Sequence, residues 1–297
     1  SLRRLGFAAC VVVATSPGAS SQDVAVPAAE TVARPFAGVV VRCLTRAEPR
    51  PLRVHVAEIA LAEAGVRFFV TPGNGDPNGP EPGDPNGETT RQTTLDFLRE
   101  QHAQLAVNGT FFDMERLGTD NKGLVVSAGD QISPFHRNWP ALNLDQRNAP
   151  AIVRGTHDTF ALAETNKGVE LFNALAGSDQ IVTNGRATTD QREFSLTLHP
   201  RTAAGFTADG RLILIVVDGR QPGYSEGVSL AELASLMLEY GCQQALNLDG
   251  GGSTTLAIAD PEPRVLNSPS GKDEQGNFGT LRKTAANLAV FASPASP

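Results

Sequence analysis

Apolar positions along this chain recur with two different periods. Leu52, Val54 and Val56 alternate with polar neighbours and predict a strand opening the segment Leu52 to Leu61. Gly65 to Gly73 carries a second strand. Thr93 followed by Asp96 is a loose capping box, and Leu95 to His102 reads as a helix. Gln104 to Val107 is a short apolar strand ending in Asn108-Gly109. Phe194, Leu196 and Leu198 alternate and predict a strand that Pro200 ends. Leu212 to Val217 is unbroken apolar sequence, the pattern of a strand buried on both faces. Ser229 and Glu232 form a capping box for a helix whose apolar face is Leu230, Leu233, Ala234 and Met237, and Gly241 stops it. Ala245 to Leu248 is the next strand. Residues 114 to 194 show only short strands among polar turns.

A strand, a helix and a strand of these lengths imply a parallel crossover. The expected fold is therefore α+β, with a mixed sheet, few helices and the site on this strand-helix-strand unit. If the two strands are neighbours, Asp218 and Asp249 at their carboxyl ends share one crevice, where open α/β sheets bind ligands.

With 40% apolar and 19% charged residues in 297, the composition is that of an ordinary globular domain. Arg3 and Arg4, the apolar stretch Leu5 to Ala14 and the small residues of Ser16 to Gln22 read as an export signal over 1–21. The apolar stretch is too short to span a bilayer, so no stable membrane insertion is expected once the signal is removed. Residues 22–36 read as a linker or mobile arm, and 37–297 as the folded domain. Gly75 to Gly87 repeats Gly-Asp-Pro-Asn-Gly without an apolar anchor and reads as an exposed loop. A net charge of -7 argues against nonspecific nucleic-acid binding but allows a local phosphate site. Aromatics are only 6%, with Trp139 the single tryptophan, which favours a compact small-ligand site over a long glycan groove. Outside the signal, Cys43 and Cys242 form either a disulfide or two free thiols.

The stretch Asn247 to Leu256, NLDGGGSTTL, concentrates the candidate chemistry. Gly250, Gly251 and Gly252 let a ligand approach the backbone, and successive N–H groups can form an anion-binding concavity. Ser253 adds a hydroxyl. Arg201 suits a phosphate clamp because a guanidinium meets two phosphate oxygens at once. His199 is a candidate acid or base. Arg220 is either a second cation of the site or a surface residue. HExxH, paired CxxC, GxSxG and Walker patterns are absent, which weighs against zinc, ordinary serine-hydrolase and P-loop chemistry. No cofactor is certain, although calcium or magnesium at Asp218 or Asp249 is compatible with the oxygen ligands.

The stretches ETTRQTTLDFLREQHAQLAVNGTFFD and LHPRTAAGFTADGRLILIVVDGRQPGYSEGVSLAELASLMLEYGCQQALNLDGGGSTTL resemble the phosphodiester glycosidase family, whose animal members remove N-acetylglucosamine from a phosphodiester and whose bacterial members are often associated with exopolysaccharide. The similarity runs from about Val54 to Phe291. It implies that Asn108, Arg201, Thr202, Asp218, Gly219, Asp249, the three glycines, Ser253 and Asn267 lie in or near the site. Thr110, the segment Gly177 to Gly185 and Glu226 depart from the family pattern and bear on the substrate.

The expected function is an exported, periplasmic or extracellular, hydrolase that cleaves a sugar-1-phosphodiester or related glycosidic bond. Glycoside cleavage usually employs two carboxyl groups, here Asp218 and Asp249, with Arg201 on the phosphate. The alternatives are a noncatalytic binder of exopolysaccharide or cell-wall glycan and a phosphodiesterase that cuts the P–O bond.

Overall fold

The apolar run 212–217 lies in the middle of the molecule. The computed structural model describes residues 29–75, 87–113 and 121–295; the expected export signal and most of the Gly75 to Gly87 loop lie outside them. The largest sheet contains β1 (Ala29–Phe36), β2 (Val39–Arg46), β3 (Leu52–Ala60), β4 (Asp179–Thr183), β5 (Arg186–Ala187), β6 (Arg201–Thr207), β7 (Arg211–Val217) and β8 (Cys242–Asn247). Across the sheet the order is β1-β2-β3-β7-β6-β8-β4-β5, every neighbouring pair antiparallel. Two further five-stranded antiparallel sheets accompany it, so the fold is mostly β with few helices.

β7 is buried on both faces, as its unbroken apolar sequence predicts. Leu212, Leu214 and Val216 point into a core shared with the other two sheets. Ile213, Ile215 and Val217 point the other way, onto α3 (Leu230–Glu239). Ser229 and Glu232 close a complete capping box on α3, and Leu230, Leu233, Ala234 and Met237 are all buried. Each of those leucines contributes about 1.5–3 kcal/mol by leaving water, and the cap about 1 kcal/mol. On the far side of the molecule α1 (Thr94–Gln101) is capped by the Thr93 hydroxyl and buries Phe97 and Leu98 on the sheet that contains Leu105–Asn108, Leu256–Ala259 and Asn287–Phe291. Among the described residues no helix is long and apolar enough to cross a membrane.

Three expectations need correction. The strands either side of α3, β7 and β8, are parallel but not neighbours, because β6 lies between them. β6 and β7 form a hairpin whose turn ends at Gly210 with φ +80°. The small residues Ala203, Ala204 and Gly205 let β6 fit this slot: a Cβ on Gly205 would lie 2.5 Å from the Gln244 carbonyl oxygen and 2.7 Å from Met237 Cε. The second correction concerns Phe194 to Leu198. Its apolar alternation does not form a strand; Glu193–Leu196 is a short helix, α2, and Leu196 is exposed. This turn brings the Phe194 and Thr197 carbonyls to the Arg201 guanidinium at 2.7 and 3.0 Å. Third, residues 29–36 are no linker but the edge strand β1, paired along β2.

Candidate active site

β6 begins where β7 and β8 end, so Arg201, Asp218 and Asp249 gather at one edge of the large sheet. Side-chain direction then separates them. Arg201 pairs in register with Val217, whose side chain packs on the α3 side. Thr202 pairs with Val216, on the core side.

The two acids do not share a crevice. The Asp218 side chain is inaccessible to solvent, and the core side of the sheet consumes its oxygens. Asn267 Nδ2 donates to Oδ1 at 2.9 Å, the Ser268 N–H lies 3.0 Å from both oxygens, and His55 Nε2 stands 3.3 Å from Oδ2. Burial alone would lower the His55 pKa, but Asp218 and then the Cys43 thiol outweigh it and raise it to about 9. His55 is thus an imidazolium paired with Asp218. Asp218 acts as an internal anchor, which corrects its expected place as one of a catalytic pair. Among the described residues no group of three or more His, Cys, Asp and Glu side chains is arranged to hold a metal ion.

Asp249 lines a cavity of about 170 Å³ together with His199, Arg201, Arg220 and Arg282. Phe111 and Phe194 complete its wall and the three glycines its floor. Burial pushes the Asp249 carboxyl up to about 6, against the opposing pull of Ser253, Arg282, the Gly250 N–H and Lys122. The Ser253 hydroxyl is buried and lowers the Asp249 pKa from nearby, although it forms no well-aligned hydrogen bond. Arg201 is 1% exposed, yet it has no carboxylate partner among the described residues. Its Nε donates to the Val228 carbonyl at 3.2 Å, its Nη2 to Phe194 and Thr197, and its guanidinium lies 4.4 Å over the Phe194 ring. Burial lowers its pKa to about 10, so it remains a cation at neutral pH. Arg220 Nη2 stands 3.1 Å from His199 Nδ1. Burial, then Arg201 and Arg220, hold His199 below its ordinary pKa. With Nδ1 facing a guanidinium donor, the neutral ring carries its proton on Nε2.

The glycines serve a different end from the expected amide cradle. The Gly250 N–H turns to Asp249, that of Gly251 to the Pro200 carbonyl at 2.9 Å, and those of Ser253 and Thr254 to Gly250 and Gly251. What the missing side chains provide is room. A Cβ on Gly250 would lie 2.7 Å from the Pro200 carbonyl oxygen, one on Gly251 3.0 Å from Arg220 Nη1, and one on Gly252 2.5 Å from Arg282 Nη2. Gly251 also has φ +61°, a conformation favouring glycine. Two guanidiniums therefore rest on bare backbone.

The remaining candidates support this site from behind. Asn108 is fully buried: its Nδ2 donates to the Asp249 carbonyl at 2.6 Å, and its Oδ1 accepts from Thr202 Oγ1 at 2.9 Å and Thr255 N at 3.0 Å. Asn267 accepts from Leu256 N and donates to the Thr254 carbonyl, fastening the chain beyond the glycines. Gly219 allows close passage, since a Cβ there would lie 2.6 Å from Pro200 N. Asn108, Thr202, Gly219 and Asn267 thus position the site without lining the cavity. Arg282, Phe111 and Phe194 also line it and were not among the sequence candidates: Phe111 lies in the stretch that resembles the family and Phe194 in the misread alternation, neither marked as a site residue, and Arg282 arrives from a distant segment.

The phosphodiester glycosidase family model matches residues 101–291. The chain belongs to the phosphodiester glycosidase family. Curated relatives include the N-acetylglucosamine-1-phosphodiester alpha-N-acetylglucosaminidases of Bos taurus, 29% identical over 60% of this chain and 36% of the relative, and Homo sapiens, 28% identical over the same shares. An uncharacterized SPbeta prophage-derived protein of Bacillus subtilis is 28% identical over 66% of this chain and 30% of its own length. The chain thus spans about a third of the curated relatives it matches. The catalytic domain of the zebrafish member superimposes with a TM-score of 0.64 at 18% identity, covering 90% of this chain and 88% of that one. A putative exported protein of Burkholderia pseudomallei gives 0.57 at 16%, covering 81% and 74%. The chain therefore shares its fold with the catalytic domain of a family whose named curated members are N-acetylglucosamine-1-phosphodiester alpha-N-acetylglucosaminidases.

Proposed function

We propose that the chain is an exported hydrolase that cleaves a sugar-1-phosphodiester between the anomeric carbon and the ester oxygen. The observation that carries this reading is the convergence of Arg201, Arg220 and Arg282, none in an ion pair among the described residues, on a cavity whose one acid is Asp249. A buried cation without a carboxylate costs stability unless a ligand supplies the charge. A phosphodiester is that ligand, and guanidinium geometry matches its oxygens.

The three cations stabilise the negative charge that grows on the phosphate as it leaves. Strong acid assistance is then unnecessary, which agrees with the single carboxyl group in the cavity. Asp249, ionised above about pH 6, brings the nucleophile to the anomeric carbon. His199, neutral, offers its Nε2–H to a substrate oxygen. Export rests on Arg3, Arg4 and the apolar stretch Leu5 to Ala14. The relatives from Bos taurus and Homo sapiens are named for an N-acetylglucosamine-1-phosphodiester, which makes that sugar the first to assay.

The test is release of a phosphomonoester from sugar-1-phosphodiesters by the whole chain and by Arg201→Met. The expected result is turnover by the native chain and at least a tenfold loss in kcat/KM for the variant. Saturable binding without product would establish the glycan-binding alternative instead.

A further inference from the structure

The arginine cavity is too small to hold a phosphate together with both organic arms of a diester. A second cavity of about 510 Å³ adjoins it, and Phe111 and Phe194 line both. Its other lining joins aromatic faces to cations. Phe111 and Trp139 meet edge-to-face with centroids 5.5 Å apart, and His136 meets Trp139 at 5.3 Å. Burial, then Arg137, lowers the pKa of His136. Arg192 in this cavity is already paired with Asp179 and Asp190. Lys122 and Arg137 are not in any ion pair among the described residues.

Both cations are held by their backbones. The Lys122 N–H donates to the Phe111 carbonyl at 2.7 Å, and its own carbonyl accepts from Thr110 Oγ1 at 3.1 Å. Arg137 has φ +47°, and its N–H donates to His157 Nδ1 at 2.9 Å. Two unpaired cations beside an indole, on a chain of net charge -7, form a local exception that a neutral ligand does not need. Asp249 lines only the first cavity, so the anomeric carbon stays there and the far ester oxygen of the phosphate points to the second.

We infer that the second cavity binds the aglycone, and that this aglycone is an anionic sugar, its ring against Trp139 and its carboxylate or phosphate between Lys122 and Arg137. The preferred substrate is then a sugar-1-phosphodiester of an acidic sugar. This rests on the reading of the arginine cavity as the phosphate site.

Two synthetic diesters test it, identical except that the aglycone is a neutral hexose in one and the corresponding hexuronate in the other. The native chain is expected to show at least a tenfold higher kcat/KM for the hexuronate at low salt, the factor that one charged hydrogen bond carries, and a smaller ratio at high salt. In Lys122→Gln/Arg137→Gln the ratio falls to about one. Both side chains are exposed, so the substitutions do not endanger folding. Equal kcat/KM for the two diesters in the native chain, or a preference that survives the double substitution, overturns the inference. If neither diester is hydrolysed, the hydrolase reading fails by itself. The ratio of dissociation constants for the same two compounds on Asp249→Asn and on Asp249→Asn/Lys122→Gln/Arg137→Gln then decides the inference by the same criteria.

Discussion

Asn108 Nδ2 donates to the main-chain carbonyl of Asp249 at 2.6 Å. The same side chain accepts from Thr202 and from the Thr255 N–H, so one amide ties β6, the glycine segment and the strand Leu105–Asn108 together. Asn108→Ala leaves three buried polar groups unmatched. It is expected to cost about 2–4 kcal/mol of stability by chemical denaturation. Where the variant remains folded, kcat falls more than KM rises, because Asp249 is displaced while the arginines stay. An unchanged kcat would show that the tie positions nothing.

Asp249 makes the fold less stable above about pH 6. Its folded pKa of about 6 lies above the ordinary aspartate value of 3.8. The folded state therefore holds the proton more tightly, and stability is lost as pH rises from about 4 through 6. Asp249→Asn removes that loss. At pH 7.5 the variant should be more stable by up to about 3 kcal/mol, with the difference vanishing below pH 4. Its turnover should fall by at least a hundredfold, and the native kcat/KM should rise with pH through about 6. An inactive variant with no stability gain would place the carboxyl in a wetter setting than the one described.

Several features of this arrangement were legible in the sequence. The unbroken run 212–217 and the Ser229/Glu232 box gave β7 and α3, since both signals are local. The Gly-Gly-Gly segment marked the site because close approach needs bare backbone. β6 was hidden, because Ala203, Ala204 and Gly205 carry no hydrophobic period when both faces are packed tightly. Without β6 the two strands around α3 looked adjacent, and Asp218 seemed to face Asp249. Which way a strand-end carboxylate turns depends on partners such as His55 and Asn267, remote in sequence. Arg282 joins the cavity by tertiary packing alone.

The glycines can be separated experimentally. Gly250→Ala places a Cβ against a backbone oxygen, which cannot move aside, so this variant should be destabilised by about 1–3 kcal/mol or more. Gly252→Ala meets only the end of the Arg282 side chain. It should keep its thermal stability and lose phosphodiester affinity. Equal stability losses in the two variants would count against guanidinium packing as the reason for Gly252.

Among the described residues Cys43 and Cys242 are free thiols with opposite settings. Hydrogen bonding to His55 lowers the Cys43 pKa, whereas burial pushes Cys242 up to about 12. Iodoacetamide at pH 7.5 should modify Cys43 first, with Cys242 reacting only after denaturation. His55→Gln should slow Cys43. Mass spectrometry of the intact and digested chain reads both outcomes, and faster reaction at Cys242 would contradict them.

The most direct measurement is hydrolysis of a sugar-1-phosphodiester in 18O-labelled water. Attack at the anomeric carbon predicts that the label appears in the released sugar and that the phosphomonoester carries none. Label in the phosphomonoester would contradict C–O cleavage and assign the arginine cavity to a phosphodiesterase that attacks phosphorus.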